Sequence, residues 1–285
     1  MKNFICFLFL ILSNFSVQTY SQQNQLLYSV THPKDKKTSY LFGTMHVMSQ
    51  EKFFFPKKIE KLISKCDVLC MEVANISNQS IEPNLLFDMD KSIKEFCTES
   101  QWDSILKWAE TDLMMNEVNF ETNFKHAKPF VLIQLMLQNT LPKEQMSHEK
   151  ELETIAEKLK MREVGLETIN EQLNIFSKIE YTSQVNLIMK QLAELDESKD
   201  NFKRMEDIYT NQDLDALCSL TEKDFTPVMK ENLLTKRNLS WISKMKKHME
   251  NQGVFFAVGA GHLCGEDGLI ELLLKEGYIV EGIRL

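Results

Sequence analysis

Two short motifs of the form Gly-x-x-His lie near opposite ends of the chain, at residues 43–46 (GTMH) and 259–262 (GAGH). Each motif comes directly after an apolar run that predicts a β-strand. Glycine allows the backbone to turn sharply after a strand, and side chains beyond strand ends collect in the crevice of a sheet. With an ordinary pKa of about 6.5, histidine in such a place can bind a metal ion or transfer a proton. One such turn is typical of a structural histidine, but two of them predict that His46 and His262 share one site.

Two glutamates accompany these histidines. Glu72 lies in the apolar run 68–73, where a buried carboxylate is costly unless it is paired or binds a cation. We therefore expect Glu72 at the carboxyl end of a strand beside His46, the alternative being a solvated strand end. Glu167 follows a second apolar segment that contains a glycine, at residues 164–166. An acid at the start of a helix is also favourable without any function. Glu167 can therefore be a residue of the site or only a favourable charge at a helix start.

The apolar runs around these motifs predict a mixed sheet. Residues 27–31 and 39–42 are predicted to form a β-hairpin, followed by a helix at 56–66 and a buried strand at 68–73. Near the C-terminus, the segment 254–283 has the pattern of a strand, a helix and a second strand. The expected fold is therefore α/β (α+β), with a central mixed, partly parallel sheet wrapped by helices.

Most of the remaining chain has helical periodicity. Residues 82–160 and 167–179 carry apolar stripes at helical spacing, with a short β-compatible segment at 161–166 between them. A longer helical tract fills about 181–250 and is predicted to be an insertion laid across the sheet. We expect residues 22–285 to form a single domain that includes this tract.

The first residues predict an export signal. Lys2, the apolar run 4–12 and the polar stretch up to Ser21 have the order of a secretory signal peptide at residues 1–21. The run is too short for a membrane span, which needs about 20 apolar residues, although a retained anchor is the alternative. The mature chain is then expected in the periplasm or outside the cell, with no stable membrane span. A formal net charge of −8 disfavours nucleic acid as a partner.

The sequence does not decide which cysteines form a disulfide bond. Of the six cysteines, Cys6 lies in the predicted signal, so an odd number remains for an oxidising compartment. Cys97 with Cys218 is the pair nominated as a disulfide. Cys264 lies two residues after His262 and is an alternative thiol nucleophile, although nothing in the local sequence marks it as activated.

These motifs resemble those of the TraB/GumN family over nearly the whole chain after the predicted signal. The resemblance rests on residues 40–46 (YLFGTMH), Glu72, 128–129 (KP), 165–168 (GLET) with Gln172, 237–238 (RN) with Trp241, and 258–263 (VGAGHL) continuing through Gly268 to 277–278 (GY). The closing segment is the most specific match. The chain departs from the family at Glu149, next to His148, where many relatives carry an aspartate.

The resemblance implies a central sheet wrapped by helices and a site formed by His46, His262 and Glu72. Relatives in the TIKI branch of the family look like divalent-metal peptidases. A similar arrangement in the erythromycin esterases implies that such a scaffold can also activate water with histidine and glutamate and without a metal. The family likeness does not by itself name a substrate.

The leading hypothesis is a secreted hydrolase that cleaves a peptide or amide bond with the help of a divalent ion. His46, Glu72 and His262 would hold the ion, Mn, Co or Zn, which would activate a bound water and polarise the carbonyl. Glu167 would be a further ligand or the general base.

Other roles and functions remain open at this stage. Arg237 and Asn238 would hold the substrate or stabilise an oxyanion, the alternative being a surface arginine and a helix-capping asparagine. A second hypothesis is a metal-independent, esterase-like hydrolase in which His46 is the general base and Glu72 orients it. A third is a protein that binds or sequesters a peptide without cleaving it.

Overall fold

The computed structural model describes residues 24–32, 34 and 37–285, so the predicted signal peptide lies outside the described residues. The strands are β1 (Leu27–Thr31), β2 (Ser39–Thr44), β3 (Met48–Ser49), β4 (Val68–Met71), β5 (Gln145–Met146), β6 (Arg162–Gly165), β7 (Val254–Gly259) and β8 (Ile279–Ile283). The α-helices are α1 (Lys57–Ile63), α2 (Pro83–Leu86), α3 (Glu99–Asp112), α4 (Glu117–Phe124), α5 (Pro129–Thr140), α6 (His148–Leu159), α7 (Ile169–Asn174), α8 (Tyr181–Ala193), α9 (Leu195–Thr210), α10 (Leu214–Asp224), α11 (Pro227–Lys230), α12 (Lys236–Met249) and α13 (Leu269–Lys275). Over the part of the chain that is described, none of the helices has the length and apolar character needed to cross a membrane.

One six-stranded sheet, in the order β6-β4-β7-β2-β1-β8, forms the centre of the fold. β1 is antiparallel to both of its neighbours, whereas the pairs β2–β7, β4–β7 and β4–β6 are parallel. All strands of this sheet except β1 therefore run in the same direction, and the carboxyl ends of β2, β4 and β7 lie at one edge. The predicted mixed, partly parallel sheet wrapped by helices is confirmed.

The three strands that lead to this edge are buried, which explains their sequences. Every residue of β2 and β4 is buried, and so is β7 up to its last residue. Continuous apolar runs of this kind are typical of strands that are covered on both faces. The predicted hairpin is found as β1 and β2. β4 ends at Met71, two residues earlier than predicted, so Glu72 is the first residue beyond the strand.

A second apolar core lies within the helical part of the fold. Helices α3, α4, α5 and α8 form it around Trp102, Phe120, Leu132 and Ile188. Helices α9, α10 and α12 instead contribute side chains such as Tyr209 to the core of the sheet. The helical tract predicted at 181–250 is thus divided between the two cores. An apolar stripe predicts that a helix face is buried but not which element covers it, so the sequence could not show this division.

A small pair of strands ties the first Gly-x-x-His turn to the start of α6. β3 and β5 are antiparallel, with Met48 opposite Met146. His148, the first residue of α6, is fully buried, and its Nδ1 lies 2.9 Å from the carbonyl oxygen of Met45. The first turn of α6 is therefore held beside His46.

Candidate active site

The two Gly-x-x-His turns meet at the carboxyl edge of the sheet. Their strands, β2 and β7, are parallel neighbours, with Thr44 opposite Gly259. His46 Nε2 lies 3.9 Å from Glu72 Oε1, and His262 Nε2 lies 3.5 Å from the same oxygen. The three side chains singled out in the sequence are therefore brought together from opposite ends of the chain.

Close packing of the two turns explains the glycine of each motif. A Cβ atom on Gly43 would lie 3.1 Å from the backbone Cα of Ala260, closer than nearly all real contacts of this kind. A Cβ atom on Gly259 would lie 3.2 Å from Glu72 Oε1 and 3.4 Å from His46 Nε2. A side chain at position 259 would therefore enter the site itself.

Glu72 is the buried anion of the site, with 6% of its surface exposed. Its Oε1 accepts a hydrogen bond of 2.8 Å from the backbone N–H of Gly259, and its Oε2 accepts one of 2.5 Å from Arg237. Burial alone would raise the pKa of this carboxyl group, but the positive charges around it outweigh burial and lower its pKa to about 2. Glu72 is therefore ionised at neutral pH.

Arg237 connects the two glutamates and one of the histidines. A guanidinium group has five N–H bonds, and each one here has an acceptor in the protein. Nε and Nη2 donate to the carboxylate of Glu167 at 3.3 and 2.6 Å, and Nη2 also donates to Glu72. Nη1 donates to the backbone carbonyl of Leu233 at 3.0 Å and to His262 Nε2 at 2.9 Å. With all five donors used inside the protein, Arg237 positions its neighbours and has no donor left for an oxyanion.

Asn238 fixes the tautomer of His262. Both N–H bonds of its amide donate to backbone carbonyls, those of His262 and Asp267, at 3.2 and 2.8 Å. The amide oxygen is then the acceptor for His262 Nδ1, which lies 2.6 Å away. Nδ1 therefore carries the proton, and Nε2 accepts the hydrogen bond from Arg237. Burial, reinforced by the charge of Arg237, lowers the pKa of His262 to about 3, so this ring is neutral.

His46 is the exposed member of the cluster, since 60% of its side chain is accessible. Its Nδ1 donates to Glu149 Oε1 at 2.8 Å, and the hydroxyl of Thr44 donates to the same oxygen at 2.5 Å. Desolvation lowers the pKa of His46, but the hydrogen bond and charge of Glu149, with the charge of Glu72, raise it to about 9. Because solvent reaches the ring and weakens desolvation, the two carboxylates decide the direction of the shift. The sequence singled out Glu149 only as a departure from the family pattern, and the structure makes it the partner of His46.

Replacing Glu149 should change the protonation of His46. We expect Glu149→Gln to lower the pKa of His46 from about 9 toward its ordinary value of about 6.5, because the amide keeps an acceptor but loses the charge. An NMR titration of the imidazole protons measures this shift. Glu157→Gln, at an exposed position farther along α6, is the matched control and should leave the pKa unchanged. A pKa that stays near 9 in Glu149→Gln contradicts the partnership.

Glu167 joins the cluster through Arg237 and Trp241. Trp241 Nε1 donates to Glu167 Oε2 at 3.3 Å, and the indole packs on His262 with ring centroids 4.4 Å apart. Burial raises the pKa of Glu167, and the neighbouring Arg237 opposes that rise. In this arrangement Glu167 is the counter-ion of Arg237. A role as general base or metal ligand stays a prediction from the sequence.

The three predicted metal ligands do not fit a divalent ion in this arrangement. Such an ion would need a lone pair from each histidine and one from Glu72. The lone pair of His262 Nε2 is taken by Arg237, whose positive charge also lies against Glu72. Within residues 24–32, 34 and 37–285, no three or more His, Cys, Asp or Glu side chains are grouped so that they could hold a metal ion.

A cleft of about 350 Å³ opens beside His46. β5 and the first turns of α6 line it with Gln145, Met146, Ser147 and Lys150. The wall thus combines an apolar side chain with groups that can form hydrogen bonds.

A disulfide bond joins Cys218 to Cys264 and corrects two predictions. The nominated pair of Cys97 with Cys218 is wrong, because Cys97 is a free thiol. Cys264 is not a thiol nucleophile, because its sulfur is bonded. The fold brings α10 against the second Gly-x-x-His turn, as shown by Thr221 lying 3.8 Å from a Cβ built on Gly261. Cysteine spacing in a sequence does not reveal which pairs the fold brings together.

Loss of this disulfide should destabilise the fold. The bond closes a sequence separation of 46 residues, and a closure of this size typically stabilises a protein by about 2–4 kcal/mol. We therefore expect a loss of about that size in Cys218→Ser, measured by urea unfolding. Cys97→Ser, which removes a free thiol, is the control for the substitution itself. Equal stabilities of Cys218→Ser and the oxidised wild-type chain would contradict a stabilising role for the bond.

Comparisons with known proteins agree with these motifs. The TraB/PrgY/gumN family profile matches residues 26–282. Over 65 residues the chain is 35% identical to "Metalloprotease TIKI2" of Danio rerio and 34% identical to "Metalloprotease TIKI1" of Homo sapiens. Each match covers 22% of this chain but only 12% and 13% of the two relatives. No solved structure matches the chain significantly.

Proposed function

Since the chain belongs to the TraB/PrgY/gumN family, we propose that it is a hydrolase that cleaves peptide or amide bonds at His46. The observation that carries this proposal is the placement of His46 between two carboxylates. Its Nδ1 is held by Glu149, and its Nε2 faces Glu72 while the ring stays open to solvent. The names of the two TIKI relatives, which call them metalloproteases, support a peptide as the substrate.

In the proposed reaction, His46 is the group that moves the proton. In the neutral form of the ring, which the raised pKa of about 9 makes the major form only in alkaline solution, Nε2 takes a proton from the attacking water as general base. The resulting hydroxide adds to the carbonyl carbon, and Nε2 then gives the proton to the amine that leaves as the C–N bond breaks. Glu149 keeps the ring in one orientation, and both Glu149 and Glu72 stabilise the imidazolium that forms. The sequence-based hypothesis gave the orienting role to Glu72, whereas the contact with Nδ1 belongs to Glu149.

The neutral His262 has a supporting role in this proposal. Its Nε2 accepts from Arg237, which in turn holds the carboxylate of Glu72. Arg237 therefore fixes the position and charge of Glu72, and Asn238 keeps His262 in the tautomer that accepts from Arg237. The predicted divalent ion has no part in the mechanism, because Arg237 engages two of the ligands that would hold it.

We also propose that the chain acts outside the cytoplasm, after removal of residues 1–21. The order of charged, apolar and polar residues in this segment supports export. The disulfide between Cys218 and Cys264 supports an oxidising compartment. N-terminal sequencing of the exported chain should find a start near residue 22, and an intact residue 1 would contradict cleavage.

The proposed activity is tested with the chain from residue 22 onward and a mixture of peptides and esters. Products are identified by mass spectrometry. We expect His46→Ala to reduce turnover by roughly 10²–10⁴-fold, the usual contribution of general acid–base catalysis. His126→Ala removes a partly buried histidine just after α4, whose Nδ1 contacts the carbonyl of Lys91, and is the matched control, expected to retain full turnover.

The same experiment separates the alternatives. Wild-type turnover that survives in His46→Ala contradicts the proposed role of His46. Cleavage of esters but not of peptides would favour the hypothesis that the same site belongs to an esterase-like hydrolase. Peptides that are retained by the wild-type chain with no product at all would favour a binding or sequestering protein.

A further inference from the structure

We infer that Arg237 is the resident cation of this site and that, while it holds its contacts, the chain binds no divalent ion at His46, Glu72 and His262. The inference concerns the site of the proposed function but does not require that function. Ion binding is measured without any substrate, so the two can fail separately.

The hydrogen bonds of Arg237 carry the inference. Nη1 occupies the lone pair of His262 Nε2 at 2.9 Å, and Nη2 occupies Glu72 Oε2 at 2.5 Å. A single planar group therefore engages two of the three predicted ligands. Because Asn238 fixes the proton on His262 Nδ1, the ring cannot offer its other nitrogen to an ion.

The other contacts of Arg237 hold its guanidinium group in this position between His262 and Glu72. Its three remaining donors go to the carboxylate of Glu167 and to the carbonyl of Leu233. The guanidinium also packs over the indole of Trp241, 4.6 Å from the ring centroid. An ion could take the place of Arg237 only if these contacts broke together and left a buried charge without its partner.

Charge also opposes an added ion. Arg237 already offsets one of the two negative charges at the buried end of the cluster, where Glu72 and Glu167 lie with 7% of their side chains accessible. A divalent ion placed beside the guanidinium would add two positive charges next to an existing one. A divalent ion would meet this repulsion directly, because Glu72 and Glu167 already share the charge of Arg237.

Removing Arg237 should create the ion site that the sequence predicts. Calorimetric titration with Zn²⁺ and with Mn²⁺, and native mass spectrometry, measure binding to wild-type chain purified without chelator. We expect Arg237→Met to bind one ion roughly 10- to 100-fold more tightly than wild type, the range set by freeing a charged hydrogen bond. Wild-type chain should show no stoichiometric binding below about 1 mM ion.

Three further variants serve as controls for this experiment. Arg237→Met combined with Glu167→Gln leaves only Glu72 as an unpaired buried carboxylate, so it serves if the single variant does not fold. Arg237→Met combined with His262→Ala should lose the gained ion, which separates this site from adventitious surface binding. Lys236→Met, at the exposed neighbouring position, should bind no more ion than wild type.

The inference is overturned by either of two results. One is wild-type chain that binds a stoichiometric ion as tightly as Arg237→Met. The other is a folded Arg237 variant, single or double, that binds no more tightly than wild type. In both cases the guanidinium would not be what decides ion binding.

Discussion

Glu72→Gln is expected to reduce kcat/KM by roughly 10²–10⁴-fold, the range found when a group that orients or charges a catalytic histidine is lost. The variant keeps the shape of the side chain but removes the charge that faces His46. If the amide oxygen accepts from the N–H of Gly259, the amide nitrogen meets the Nη2 donor of Arg237. The neutral side chain therefore cannot restore both contacts.

Kinetics on the peptide found to be cleaved provide the measurement, with the midpoint of thermal unfolding recorded in parallel. A fall in kcat with little change in KM is the expected pattern, because Glu72 acts on the proton-transfer group and not on the cleft wall. Glu281→Gln, at an exposed position of β8, is the control and should keep wild-type kinetics. A Glu72→Gln variant with more than about one tenth of wild-type turnover would contradict a role in the reaction.

The meeting of His46 and His262 was predictable because it depends on strand order alone. Each motif places its histidine just beyond a buried strand, and the two strands are parallel neighbours with Thr44 opposite Gly259. Glu72 follows β4, which pairs with the other side of β7. An apolar run that ends in a polar side chain therefore contains enough information to place each of these groups at the carboxyl edge of the sheet. The runs of His46 and His262 also contain a glycine, whereas the run of Glu72 does not.

The partners of these residues could not be predicted in the same way. Arg237 and Asn238 lie within α12, and their contacts with Glu72 and His262 depend on how that helix packs on the sheet. Glu149 reaches His46 because β3 and β5 hold the start of α6 beside the first turn. Such contacts depend on tertiary packing, which hydrophobic periodicity does not describe. The pairing of the cysteines was missed for the same reason.

Arg237→Met is expected to lower the free energy of unfolding by about 3–5 kcal/mol, the usual loss when one member of a buried ion pair is removed. Methionine fills much of the volume of arginine but leaves Glu72 and Glu167 without their shared cation. Both carboxylates are buried, so water cannot replace the missing hydrogen bonds. Denaturation by urea, followed by circular dichroism, measures the loss.

A double-mutant cycle tests whether the loss comes from the unpaired carboxylates or from packing alone. Glu167→Gln removes one of the two charges, so adding it to Arg237→Met should cost less than the sum of the single substitutions. Lys236→Met changes an exposed neighbour on the same helix and should alter stability by no more than about 0.5 kcal/mol. A loss below about 1 kcal/mol in Arg237→Met, or strict additivity in the cycle, would contradict a buried charge cluster held by Arg237. Coupling of the expected sign would instead show that Arg237 and Glu167 stabilise the fold as a buried ion pair.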